Sequence, residues 1–276
     1  GSGAAIAQFL TFLFVWEALY QIASRAIKLA ISRYPDQIVP TETTQSTGQA
    51  SKTLAQRGPS YAISFLHSAY VTKRGFRHLL ALWNASNTDK LMIPGRTVVS
   101  RVRLDHLEVA TTNMLFVSYL VYDLVHITTQ YPKLGGLDTV AHHVLFAICS
   151  FINGTYGIMA FPFGWLIVGE MSTIFLNLRW FMLKTGRQGS AALKVINSLF
   201  ASTFIMTRIG IYTCGVVQLF GHSINEVRRL PDLSGVPVPF LVATCGCILL
   251  GWILNLIWGF KIAKMMMMGE AKAKNR

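Results

Sequence analysis

Five apolar stretches, at about 107–128, 137–160, 161–183, 195–219 and 236–262, each have the length an α-helix needs to cross a bilayer. A chain patterned this way points to one fold class, an all-α integral membrane protein. Composition agrees: 52% of the 276 residues are hydrophobic and 13% are charged, where an average soluble domain carries about 25% charged residues. Two further stretches bring the expectation to about seven transmembrane helices. Residues 4–30 form the first, interrupted by Glu17 and closed by Arg25 and Lys28. Residues 59–83 form the second and are unusually polar, with His67, Lys73, Arg74, Arg77 and His78. That face has to turn to protein or water. Residues 31–58 are rich in Pro, Thr, Ser, Gln and Lys without periodicity and read as a loop. Residues 84–106 read as a mixed loop, its basic part Arg96 to Arg103 suited to the headgroups. Phe161-Pro-Phe-Gly164 reads as the tight turn between the fourth and fifth spans. There is no internal repeat and no soluble domain.

The net charge is +13, with the basic residues gathered in a few connections and the tail. That pattern suits a membrane surface and not a nucleic acid. Lys184, Arg187 and Lys194, and Lys261, Lys264, Lys272, Lys274 and Arg276 after residue 260, place both segments in the cytoplasm. Counting back seven spans puts the N-terminus on the far side and the 31–58 and 129–136 connections in the cytoplasm. Lys90, Arg96, Arg101 and Arg103 in the 84–106 segment run against the rule. Lys272 and Lys274 match the dilysine retrieval signal of endoplasmic-reticulum membrane proteins, and equally a generic basic tail beside anionic lipid. The cysteines (Cys149, Cys214, Cys245, Cys247) lack C-x-x-C spacing and read as small buried thiols. Asn84-Ala-Ser86 and Asn153-Gly-Thr155 match the glycosylation pattern but lie at or inside spans, and are expected to be unmodified.

The chemical centre is expected around LDTVAHHVLFAICS, where His142 and His143 stand side by side in an apolar helix. Ionisable groups in such a span cost several kcal/mol unless partnered, and so mark a candidate site. Upstream, SYLVYDLVHITT supplies Asp123 and His126, joined to the first stretch by the short Gln130-to-Gly136 connection. The two helices are antiparallel, with Asp123 and His142 each roughly 8 Å below the cytoplasmic end at about 1.5 Å per residue. Thr112, Tyr119, Tyr122, Asp123 and His126 share one helical face. Asp123 can then hold an imidazole in one tautomer and raise its basicity. Glu170 and Arg208 lie level on the fifth and sixth helices and are expected to pair, whether for structure or for substrate. Glu170, Thr173 and Asn177 share a face, whereas Arg179 lies opposite and is expected to reach the cytoplasmic surface. The lone histidines His67, His78, His106 and His222 read first as packing residues. No metal is expected, because neighbours on a helix diverge by about 100° and do not converge on one ion.

SYLVYDLVHITTQYP, LDTVAHHVLFAICS, GEMSTIFLNLRWFM and FASTFIMTRIG together resemble the TLC domain, from about residue 59 to 264. This is the membrane family of the ceramide synthases and the translocating-chain-associated proteins. The resemblance implies residues 1–58 as first helix and cytoplasmic loop, 59–264 as a six-helix domain around a central cavity open to the cytoplasm, and 265–276 as a basic cytoplasmic tail. In ceramide synthases the paired histidines act in acyl transfer from acyl-CoA to a long-chain base. By resemblance, His142 and His143 take that role here. Phe146 stands where those enzymes carry threonine, and Glu170 alone stands for their later acidic stretch. These departures place the chain nearer the smaller TLC-domain branch, some of whose members are linked to phospholipid composition or lysosomal lipid handling.

The expected function is acyl transfer from acyl-CoA to a lipid acceptor in the endoplasmic-reticulum membrane. His142, His143, Asp123 and His126 would be catalytic, one histidine serving as nucleophile or general base. Tyr119, Tyr122, Asn153, Glu170, Asn177 and Arg208 would meet the substrate, and Lys133, Lys184 and Arg187 the CoA phosphates. The partners expected are membrane lipids and acyl-CoA, and a homodimer is compatible with the chain. The alternative is a lipid-binding or cargo-sorting receptor without chemistry. A proton-coupled transporter is least favoured, since neither inverted repeats nor broken helices are evident.

Overall fold

The computed structural model describes the backbone of residues 2–38, 44–92 and 101–274. Helix α1 runs Ser2–Arg33 and α2 Pro35–Ile38. Helix α3 runs Thr44–Leu82, so much of the expected 31–58 loop is helical. Its Ala, Gln, Lys, Leu and Arg residues are good helix formers, and polarity had hidden them. Pro59 lies inside α3, where its missing N–H leaves the Ala55 carbonyl without the usual partner. Beside it, a Cβ on Gly58 would stand 3.0 Å from Ile27, so glycine lets α3 approach α1 closely.

The expected 84–106 loop begins with a short helix, α4 (Asn87–Leu91), whose first turn is capped by Ser86 accepting from the Asp89 N–H at 3.1 Å. Arg96 lies outside the described residues, as do the side chains of Arg101, Arg103, His106, Lys272 and Lys274 and all of Arg276. Helix α5 (Arg101–Thr129) and α6 (Leu137–Tyr156) follow. The turn expected at Phe161–Gly164 lies earlier, at Gly157 and Met159, whose φ angles are 62° and 61°. Phe161–Gly164 is helical within α7 (Ala160–Val168). Pro162 falls in the first turn, where its lost N–H would have had no intrahelical partner.

A turn at Gly169–Glu170 separates α7 from α8 (Met171–Lys184). Helix α9 (Ala191–Phe204) passes into a π-helical segment, Ile205–Ile211, then α10 (Tyr212–Val217) and a second π segment, Gln218–His222. The winding changes along these stretches, but each span stays helical from end to end, Ala160–Lys184 and Ala191–His222. Helix α11 (Ile224–Ser234) is amphipathic, burying Val227 and Leu230, and α12 runs Val238–Lys274.

Among the described residues, four helical stretches are long and apolar enough to cross a membrane: Gly3–Arg33, Ala160–Lys184, Ala191–His222 and Val238–Lys264. The other three expected spans are helical within α3, α5 and α6 but more polar; α6 alone carries Asp138, both histidines and Asn153.

The chain forms two compact units. The first comprises Gly1–Val71, Met114–Ala147 and Thr173–Phe200; the second comprises Thr72–Asn113, Ile148–Ser172 and Ala201–Arg276. In the first, Trp16 anchors α1. Its indole N–H donates to the Ser118 hydroxyl at 3.1 Å, and its ring meets His67 and Tyr119 edge-on. His67 stacks on Tyr119 with centroids 3.6 Å apart. Trp16→Phe should keep the apolar contact and lose the donor, lowering stability by about 1 kcal/mol; a melting temperature equal to wild type would show that the bond contributes nothing. Arg179 is half-buried, and its Nε donates to the Asn197 side-chain oxygen at 2.9 Å.

In the second unit the polar face of α3 is satisfied by α5. Arg74 pairs with Glu108 at 3.2 Å and donates to the Thr112 hydroxyl at 3.0 Å; His78 lies 3.0 Å from the same hydroxyl. Gly215 packs under the Trp165 indole, which a Cβ there would overlap. The four cysteines are free thiols; Cys149 is buried but Cys214 is exposed, contrary to expectation.

Candidate functional site

The histidine pair sits near the start of α6, and Asp123 near the end of α5. The 130–136 connection folds one helix back on the other, which brings their ends level. His143 Nε2 lies 2.9 Å from Asp123 Oδ2, with both side chains largely buried at 12% and 13% exposure. The other nitrogen of the ring, Nδ1, lies 2.9 Å from the Thr139 carbonyl oxygen. A carbonyl only accepts, so Nδ1 must carry the proton of that bond. With a carboxylate on the second nitrogen, the ring is held between two acceptors, an arrangement that suits an imidazolium paired with Asp123. His142 stands beside it, ring centroids 5.8 Å apart and planes 76° apart, packed against Phe146 at 4.6 Å. Asp123 thus engages His143 directly.

His126 takes a different carboxylate. Its Nε2 lies 3.2 Å from Glu17 Oε2, and Glu17 Oε1 accepts from Gln21 at 2.6 Å. The rings of Tyr20 and Tyr122 flank this imidazole at 4.4 and 4.6 Å. Sequence reading saw Glu17 only as an interruption of the first span. A lone carboxylate in an apolar helix was itself the signal that a partner existed elsewhere. Tyr119 is committed to His67, and Asn177 donates to Ser64 at 3.0 Å. The Tyr122 hydroxyl is buried without a hydrogen-bond partner among the described residues. Tyr122→Phe should therefore leave thermal stability unchanged or raise it by about 1 kcal/mol, because an unmet buried hydroxyl is costly. A clear drop in melting temperature would mean that the hydroxyl is bonded in the folded protein.

Below this cluster the first unit contains a cavity of about 460 Å³, lined by residues of α1, α3, the end of α5 and the 130–136 connection. Lys133 lines it; Lys184 and Arg187 do not. In the second unit, Arg208 Nη2 donates to Glu170 Oε1 at 2.9 Å, and its Nε reaches the Gly169 carbonyl and the Ser172 hydroxyl, both at 3.0 Å. The expected pairing of Glu170 with Arg208 is present, built on the Gly169–Glu170 turn and the first π segment. Asn153 is buried in the same unit, its amide 3.7 Å from the Cys149 sulfur. Among the described residues no three His, Cys, Asp or Glu side chains converge as a metal site requires.

Comparison with known proteins identifies the family. Residues 58–264 match the TRAM_LAG1_CLN8 family, the TLC domain. The chain belongs to the TLC-domain family. Curated relatives include TLC domain-containing protein 4-B of Danio rerio, 27% identical over 147 residues, covering 53% of this chain and 54% of that one. TLC domain-containing protein 4-B of Xenopus laevis is 30% identical over 161 residues, 57% of each chain. The chain spans about half the length of the curated relatives it matches. These relatives lie outside the ceramide synthases, in line with the departures at Phe146 and Glu170. The TLC domain as matched holds Asp123, His126, His142, His143 and Lys133. Glu17 and Tyr20 precede it, although they pack on His126.

Proposed function

We propose that this TLC-domain protein is a lipid acyltransferase, moving an acyl chain from acyl-CoA to a lipid acceptor at the histidine pair. The observation that carries the reading is the Asp123–His143 contact at 2.9 Å, completed by the Thr139 carbonyl. Two groups spend binding capacity on fixing one ring in a mostly apolar helix, which a chain that only spans lipid does not need. His143 has both nitrogens engaged, so the proton transfer falls to its neighbour. The acceptor's hydroxyl or amine attacks the thioester carbonyl carbon while His142 takes its proton. The carbon–sulfur bond then breaks, and His142 returns the proton to the leaving thiolate. The charge of His143, held by Asp123, favours the oxyanion of the tetrahedral intermediate. In this reading the chain crosses the endoplasmic-reticulum membrane seven times with its C-terminus cytoplasmic. The basic 184–194 connection and tail support that orientation.

A second reading has a specific observation behind it. A ring bonded at both nitrogens is also what a structural histidine shows, and a lipid-binding receptor would need no more. Turnover separates the two. Purified protein in nanodiscs would be incubated with labelled acyl-CoA and a panel of lysophospholipids and sphingoid bases. Labelled lipid product supports the acyltransferase; tight lipid binding with no product from any pair supports the receptor.

A further inference from the structure

The cavity beside the histidine cluster has a lining that the TLC domain alone does not supply. Helix α1 contributes Tyr20, Ser24 and Lys28, α3 contributes Gln56, and the 130–136 connection contributes Gln130 and Lys133. Two exposed lysines from two separate elements thus line one space, beside hydroxyl- and amide-bearing side chains. Among the described residues no carboxylate lines it. The two carboxylates of the histidine cluster are already engaged, Glu17 with His126 and Gln21, Asp123 with His143. Neither lysine has a carboxylate partner among the described residues. Two cations lining a shared cavity repel each other, and an anion between them removes that repulsion. Tyr20, on the cavity wall, packs against the His126 ring with centroids 4.4 Å apart, and His126 is one helical turn from Asp123. The cavity therefore opens next to the candidate chemistry, and its volume of about 460 Å³ is within the usual range for small-ligand sites.

We propose that this cavity binds a phosphate group of an amphiphilic substrate, Lys28 and Lys133 forming charge-assisted hydrogen bonds to its oxygens, so that α1 is part of the binding site and not only an anchor. The proposal rests on the substrate reading above and adds its phosphate subsite. The phosphate belongs either to the CoA moiety of the donor or to a phospholipid headgroup, and the experiment distinguishes the two. Full-length protein in phosphatidylcholine nanodiscs would be titrated with free CoA and, separately, with short-chain phosphatidic acid. Wild type, Lys28→Ala, Lys133→Ala, the double variant and Lys28→Arg/Lys133→Arg would be compared, with melting curves to confirm folding. Each alanine variant should weaken one of the two probes about tenfold, the usual effect of a hydrogen bond to a charged group. The arginine variant should retain most of that binding. Weakened CoA with unchanged phosphatidic acid assigns the donor; the reverse assigns the headgroup. Binding of both probes by the folded double variant at wild-type affinity would overturn the proposal. If phosphate binding depends on the lysines while wild type transfers no acyl group, the subsite stands and the acyltransferase reading falls.

Discussion

His142→Ala is expected to fold normally and to lose acyl transfer by about 10²-fold or more, the effect of removing a positioned general base. Alanine suits an apolar helix better than histidine, so stability should not explain the loss. His143→Ala should also fold, but it strips Asp123 of its partner and leaves the Thr139 carbonyl without its imidazole donor. Its loss of rate should come with a modest fall in melting temperature. Asp123→Asn keeps a polar group beside Nε2 but no charge, so the expected result is a smaller loss than either alanine variant gives. The measurement is product formation from labelled acyl-CoA under single-turnover conditions, with melting curves on the same preparations. If both alanine variants misfold, the pair is structural and the site assignment is wrong.

The Arg208–Glu170 pair should show the opposite pattern, a stability effect before any effect on chemistry. Both side chains are mostly buried, at 11% and 17% exposure. Glu170→Gln leaves Arg208 with its Gly169 and Ser172 contacts but an uncompensated charge. Breaking a buried pair on one side costs about 3–5 kcal/mol. Thermal unfolding of Glu170→Gln should therefore shift strongly downward. Replacing both residues by apolar ones of similar volume should restore much of the stability, since the pair's own desolvation is then avoided. An unchanged melting temperature in Glu170→Gln would show that the charge is not buried in the folded protein. Arg208 lies in the Ile205–Ile211 π segment, a geometry that recurs where a side chain must be aimed at a particular partner.

Much of the site was legible because helix arithmetic is reliable over short hairpins. The ends of α5 and α6 are tied by the 130–136 connection, so depth along each helix could be counted, and Asp123 met a histidine where the count placed it. Which histidine was not legible, since adjacent residues differ by about 100° around the axis and only packing selects one. Glu170 and Arg208 met for the same reason of depth. The contribution of α1 was hidden because Glu17 and His126 are 109 residues apart, and no local pattern encodes that contact. The α3 extension was missed because its solvent-suited residues carry helix propensity without apolar periodicity. Helix α11 did carry a readable signal: Ile224, Val227 and Leu230 recur every third residue within a charged stretch. The turn at Gly157–Met159 escaped notice because the more conspicuous Phe161-Pro-Phe-Gly164 lies next to it, and proline is equally at home in a first helical turn.

The central claim is that lipid held by this protein is chemically altered and not merely carried. Native mass spectrometry of the purified protein with its co-purified lipid, recorded before and after addition of acyl-CoA, tests it most directly. The bound lipid is expected to gain the mass of one acyl group as free CoA is released, and His142→Ala to keep the lipid but not the gain. Lipid retained at unchanged mass, with acyl-CoA intact for every chain length offered, would contradict it.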